Sequence, residues 1–183
     1  VCCFIVRPDA AGGMRVIGIG HQISRGMRAG AVVDMDAAEE AVRGAVDVAE
    51  RMAKERIDRV LLSFSGGRPA SRLIDVETDI AGHEIGERDL KRAQAQAHLL
   101  AQHASEGREI LNTIPAGYSI DGTPGYREPR GMFGTRLGLR LHVVSAAVGP
   151  LRNLKLLAER CHLEIAVLVV APYASGFSTL VED

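Results

Sequence analysis

Tryptophan is absent from this sequence and aromatic residues make up only 4% of it, so the stacking platforms that hold single-stranded nucleic acids are missing. A basic field is missing too. The 22 Lys and Arg against 23 Asp and Glu leave a formal charge of −1, which excludes the electrostatic footprint of a nucleic-acid binder. No apolar run approaches the roughly 20 residues of a membrane-spanning helix; "IAVLVVAP", Ile165 to Pro172, is the longest. Cysteines number three, and the adjacent Cys2 and Cys3 would point to opposite faces of a strand. An odd count in that arrangement argues against a disulfide framework and for a reducing, cytoplasmic setting. What is present is 46% apolar content over 183 residues, enough for one full core or a main lobe with a smaller second one.

The chain opens in what reads as mid-strand, "VCCFIV", and closes in "LVED", so a piece of a longer protein is expected. "VCCFIVR" and "MRVIGIG" read as strands joined by a loop carrying Gly12-Gly13. A helix follows, with Asp36 as expected N-cap and Glu39 three residues on. Its stripe of Ala38, Ala41, Val42, Ala45, Ala49, Met52 and Ala53 is mostly small, which predicts close packing on a sheet. "DRVLLSFS" and "LEIAVLVVAP" read as buried strands, the first in a βαβ-type crossover.

Between Gly66 and Ser145 the texture changes to strand, helix, strand, strand. "SRLIDVETDI" puts Ile74, Val76, Thr78 and Ile80 on one side and Asp75, Glu77 and Asp79 on the other. The helix, Glu87 to His103, turns Leu90, Ala93, Ala97, Leu100 and Ala101 inward. "REILNTIP" and "TRLGLRLHVVS" are the remaining strands, the latter with Leu137, Leu139, Leu141 and Val143 opposite Arg136, Arg140 and His142; a Gly/Pro-rich loop separates them. The expected divisions are 1–65, 66–145 and 146–183. The last begins with a helix around Pro150, closes it at Arg160 with His162 where glycine is usual, and ends in a second helix from "YASGFST".

No catalytic constellation emerges. "SRGMRAGAVVDMDAAEEAV", Ser24 to Val42, is glycine-bearing and precedes a helix, the setting of a phosphate cradle. A Walker loop, however, needs a lysine, and none lies between Val1 and Ala53. A dinucleotide fingerprint needs glycine where Ile23 stands. "SFSGG" departs from a nucleophile elbow at Ser63, and His98 and His103, five apart, lack the spacing of a zinc pair. Asp75, Glu77 and Asp79 could meet a cation, yet alternating acids on a strand are ordinarily a solvated face. Two readings of the charged stripes remain at this point. If the acidic and basic strands are neighbours, the stripes satisfy each other; if not, each is free for a charged partner.

Several segments together resemble the FtsA family of actin-like bacterial cell-division proteins. They are the SRGM loop leading through Gly30, Val32 and Asp34 into the helix, the P-x-x-Y-x-x-D-G of Pro115 to Gly122, and the Pro129 to Gly134 turn before Arg136 and Leu137. The resemblance runs along nearly the whole chain and implies an α/β fold. That fold is a partial actin-like (ribonuclease H-like) subdomain 1A with an inserted SHS2-type lobe, subdomain 1C. It implies that the ATP and Mg of the full-length family are held by phosphate hairpins and an adenosine motif that this chain lacks, so no catalytic, cofactor or metal residue is expected here. It also implies contacts of 1C with other FtsA subunits and with late division proteins such as FtsN, whose cytoplasmic peptide is basic. Asp75, Glu77, Asp79, Arg136 and Arg140 are the candidate partner-binding residues. FtsZ and the membrane would be met only through parts outside this chain, at the cytoplasmic face of the inner membrane. An ATP-handling actin-like enzyme and a pilus-assembly relative are the alternatives. Gly86, where a Ser or Thr cap is common, and His162 depart from the family pattern.

Overall fold

The computed structural model describes residues 1–10, 12–66 and 68–179, and for Phe177 the backbone alone. Residues 180–183, where the last helix was expected to continue, lie outside the described residues, as does Gly67. The chain divides into two compact units, Val1–Gly67 with Gly149–Asp183, and Arg68–Val148.

In the first unit β1 (Cys2–Pro8) and β2 (Met14–His21) form an antiparallel pair. A tight hairpin of β3 (Met27–Arg28) and β4 (Ala31–Val32) follows, turned by Ala29 and Gly30, both at positive φ. Helix α1 (Met35–Ala53) then lies on β2 with Ala38, Ala41, Ala45 and Ala49 buried. The small-residue stripe has its counterpart in the sheet. A Cβ at Gly18 would sit 2.3 Å from the Ala49 carbonyl oxygen, so helix and strand backbones approach as only glycine permits.

The N-cap of α1 is Asp34, not Asp36. The Ala37 amide donates to Asp34 Oδ1 at 3.1 Å. Asp36 instead pairs with Arg160 at 2.9 Å, and Arg160 also reaches Glu39 at 2.7 Å. The capping-box spacing of Asp36 and Glu39 was real, but Asp34 stands two residues earlier in extended conformation and takes the role.

Strand β5 (Arg59–Phe64) pairs in parallel with β10 (Glu164–Val170), as a crossover requires. The expectation that both are buried is corrected: Leu61 is 72% and Val167 50% exposed. Each strand has one hydrogen-bonded neighbour among the described residues, so part of its apolar pattern stays open. Helix α3 (Val148–Arg160) buries Leu151, Leu154, Leu157 and Ala158. It ends in a Schellman turn, with Leu163 N donating to Ala158 O and His162 N to Glu159 O. His162 takes the left-handed position at φ 59°. Helix α4 (Ala171–Thr179) follows β10.

The second unit is a four-stranded antiparallel sheet in the order β6-β9-β7-β8 with helix α2 on one face. Its elements are β6 (Ala70–Asp79), α2 (Glu87–Ala104), β7 (Arg108–Ile120), β8 (Thr123–Tyr126) and β9 (Arg136–Ala147). Ile74, Val76, Ile80, Leu137, Leu139, Leu141 and Val143 meet Leu90, Ala93, Ala97 and Ala101 in its core. Burying each leucine fully contributes roughly 1.5–3 kcal/mol. Two expectations change. β7 runs past Pro115 to Ile120 and turns through Asp121 (φ 47°) and Gly122 (φ 81°) into β8, so the Gly/Pro-rich loop begins with a hairpin. Leu100, expected inward, is 46% exposed on the flank of α2.

Candidate interaction surface

The glycine-bearing loop before α1 is folded against its own unit. The Gly26 carbonyl accepts from the Val33 and Asp34 amides at 2.8 and 3.1 Å, and a Cβ on Gly26 would lie 2.4 Å from the Ala38 nitrogen. Gly30 and Gly66 meet backbone to backbone; a Cβ on Gly66 would lie 2.0 Å from the Gly30 carbonyl oxygen. The Asp34 side chain and carbonyl take the Ala37 and Ala38 amides. The Ala38 bond is the first regular bond of the helix, while Ala37 is one of the first-turn donors with which a helix N-terminus can grip an anion.

In the second unit β6 and β9 are neighbours, which settles the relation between the charged stripes. Asp75 lies opposite Arg140, and Asp79 opposite Arg136. The Arg140 guanidinium donates to Asp75 through Nε at 2.7 Å and Nη2 at 3.4 Å, and this carboxylate raises the Arg140 pKa further. Arg136 Nη1 reaches diagonally to Glu77 Oε2 at 3.1 Å. The Asp79 carboxylate accepts from the Ala81 amide at 2.8 Å, and its carbonyl from Arg92. Hence the five candidate residues form one exposed, largely self-paired charged face with three carboxylates against two guanidiniums.

Two carboxylates outside the charged stripes shape this unit. Asp121 accepts from the Thr135 and Arg136 amides at 2.9 and 2.8 Å, pinning the start of β9 beside the hairpin. Its signal is the Asp-Gly dipeptide, a strong mark of a two-residue turn. Asp89 is buried at the start of α2. It accepts from the Gly86 amide at 3.0 Å and lies 3.1 Å from His83 Nε2. The Gly86 amide foremost, then His83 and Arg92, hold its carboxyl below the usual range against the opposing effect of burial. Gly86 has no side chain to cap with, so Asp89 supplies the half of the capping box it can.

His98 and His103 are bonded within their own unit. His98 Nδ1 donates to the Gln94 carbonyl at 2.8 Å, which leaves Nε2 of the neutral ring to accept from Thr113 Oγ1 at 3.1 Å. His103 Nδ1 donates to the Leu99 carbonyl. Among the described residues no three His, Cys, Asp or Glu side chains converge as a metal site, and no helix is long and apolar enough to cross a membrane. All three cysteines are free thiols.

Residues 66–145 match the family model described as the SHS2 domain inserted in FTSA. Along 97% of its length the chain is 43% identical to the cell division protein FtsA of Rhizobium meliloti (strain 1021). The chain belongs to the FtsA family. It is 33% identical over its whole length to FtsA of Pseudomonas aeruginosa and 31% identical over 97% of it to FtsA of Escherichia coli (strain K12). It spans about 40% of the length of these FtsA relatives. The fold is shared more widely. A PilM-PilN type IV pilus biogenesis complex structure superposes over 96% of the chain and 46% of that chain with a TM-score of 0.64, at 14% identity.

Proposed function

We propose that this chain is a non-catalytic contact module of an FtsA protein at the cytoplasmic face of the division site. Its 68–148 unit meets neighbouring FtsA subunits and late division proteins of the FtsN kind, while FtsZ and the membrane are reached through other parts of FtsA. The observation that carries this reading is the use made of the opening glycines. Gly26, Gly30 and Gly66 are committed to backbone approaches within the unit, the Asp34 side chain takes the Ala37 amide, and Asp36 puts a further carboxylate in the first turn of α1, all of which disfavour a triphosphate there. The outer face of β6 and β9 supplies the complementary surface. It carries a small negative excess, which suits a basic peptide, and exposed charge contacts of this kind act in numbers.

Two measurements test it. Mg-ATP titrated into the purified chain by calorimetry is expected to give no stoichiometric heat; tight one-to-one binding would overturn the non-catalytic reading. Changing Asp75, Glu77 and Asp79 together to lysine is expected to abolish binding of the FtsN cytoplasmic peptide and with it the salt dependence. Unchanged affinity removes that face from the interface.

A further inference from the structure

We infer that the outer edge of β6 is a β-addition site, which takes an extended segment of another protein that alternates basic with apolar residues. The inference rests on the contact-module reading above and adds the mode and the place.

β6 is ten residues long, pairs with β9 over its whole length without a bulge, and is the last strand on its side of the sheet. It contains no proline and no lysine, so two common protections of an open edge are absent. The phase of its hydrogen bonds follows from the register. The Ile80 amide donates to the Thr135 carbonyl at 2.8 Å. In an antiparallel ladder alternate residues bond the same neighbour. Thr78, Val76, Ile74 and Arg72 therefore serve β9, while Ser71, Leu73, Asp75 and Glu77 turn their N–H and C=O to the free edge. Asp79 agrees with this phase, because its carbonyl is taken by the Arg92 side chain and not by β9. Among the described residues no backbone group occupies the edge from Ser71 to Glu77.

The side chains beside the edge define the occupant. On the outer face Asp75 and Glu77 lie where an added strand would place the residues directly opposite, and Leu73 there is 55% exposed. On the inner face the flank of α2 next to β6 is marked by Gln96, which accepts from the Thr78 hydroxyl. Leu100, one turn further on, is 46% and Leu99 58% exposed. An added strand thus meets on one face the Asp75 and Glu77 carboxylates, each holding one guanidinium of β9, and on the other the exposed leucines of α2, with the Arg72 and Arg92 guanidiniums bonded to the Ala104 and Asp79 carbonyls on the same flank. A second copy of β6 would set acid against acid across the ladder, which is destabilising. The charge pattern selects a basic, heterologous strand.

The test uses the full chain and a short labelled peptide alternating lysine with leucine. Binding is expected, with the Leu73, Asp75 and Glu77 amides gaining protection from hydrogen exchange. N-methylation of the peptide at its lysines, whose amides face β6 when the lysines oppose Asp75 and Glu77, is expected to weaken binding by about tenfold or more. The same change at the leucines leaves it within about twofold. Leu73→Pro removes an edge donor while sparing the β9 ladder and is expected to weaken binding by about tenfold; retained protection of Ile74 and Val76 shows that it folds. Peptide binding without protection of the edge amides overturns strand addition while leaving charge recognition in place. No binding at all overturns both. Dimers of the chain that protect the same amides would overturn the heterologous partner.

Discussion

Gly20 on β2 lies so close to Ala45 of α1 that a Cβ there would sit 1.8 Å from the Ala45 carbonyl oxygen and 2.8 Å from its carbonyl carbon. Backbone, not a flexible side chain, is the obstacle, so relief requires moving the helix off the sheet. Gly20→Ala is expected to destabilise the chain by about 3 kcal/mol or more in urea unfolding. Gly44, on the same helix, is the control. An added methyl meets only the Gln22 side chain, at 3.2–3.4 Å from its Nε2, Cγ and Cδ, which can shift where backbone cannot, and alanine is the better helix former. Gly44→Ala is expected to gain up to about 1 kcal/mol.

That contrast shows what was legible in the sequence. The alanine stripe of α1 and the strand-helix-strand-strand order carry strong periods, because each element buries one face. Two features were hidden by their neighbours. The β8 hairpin sits in a stretch so rich in Gly and Pro that punctuation masked the Asp121-Gly122 turn, and Asp36 with Glu39 imitated a cap that Asp34 provides. The pairing of Asp75 with Arg140 could be posed from the sequence but not chosen: 65 residues separate them, and strand order in a sheet is a matter of tertiary packing. Leu100 illustrates the same limit. Its spacing fits the buried stripe, yet it sits at the margin of a helix whose centre is covered by a sheet with β6 at its edge.

His162 holds the left-handed C′ position of α3 at φ 59°. A side chain there crowds the following carbonyl, a cost that glycine escapes. His162→Gly is expected to raise stability by about 0.5–1 kcal/mol, and His162→Val, branched at Cβ, to lower it by about 1 kcal/mol or more. Thermal melts of the two variants beside the parent chain read the sign directly. Equal melting temperatures for all three would show that the Schellman turn does not limit stability.

Thiol reactivity should divide by environment. Burial foremost, and then the nearby Glu39, raise the Cys161 thiol above its ordinary value, against the smaller opposing effects of Arg43 and Arg160. Because the thiolate is the reactive form, Cys161 is expected to react with a disulfide reagent more slowly than an unfolded control at neutral pH. Glu39→Gln removes the second cause and is expected to speed the reaction; an unchanged rate would assign the whole effect to burial.

Asp89 is buried and holds the Gly86 amide, with His83 and Arg92 alongside, and its carboxyl titrates below the usual value. A carboxyl whose folded pKa is depressed contributes stability that is complete above its unfolded pKa of about 3.9. That contribution is lost as pH falls through the lower folded value. Asp89→Asn keeps the shape but carries no charge, so it is expected to cost about 1 kcal/mol at pH 7. The gap between parent and variant should begin to narrow below about 4, where the unfolded carboxyl protonates, and vanish only once the folded carboxyl has protonated as well. Urea unfolding of both proteins at pH 7, 5 and 3 measures the gap. A difference that persists undiminished at pH 3 would mean that the cap works through packing and geometry and owes nothing to the carboxylate charge.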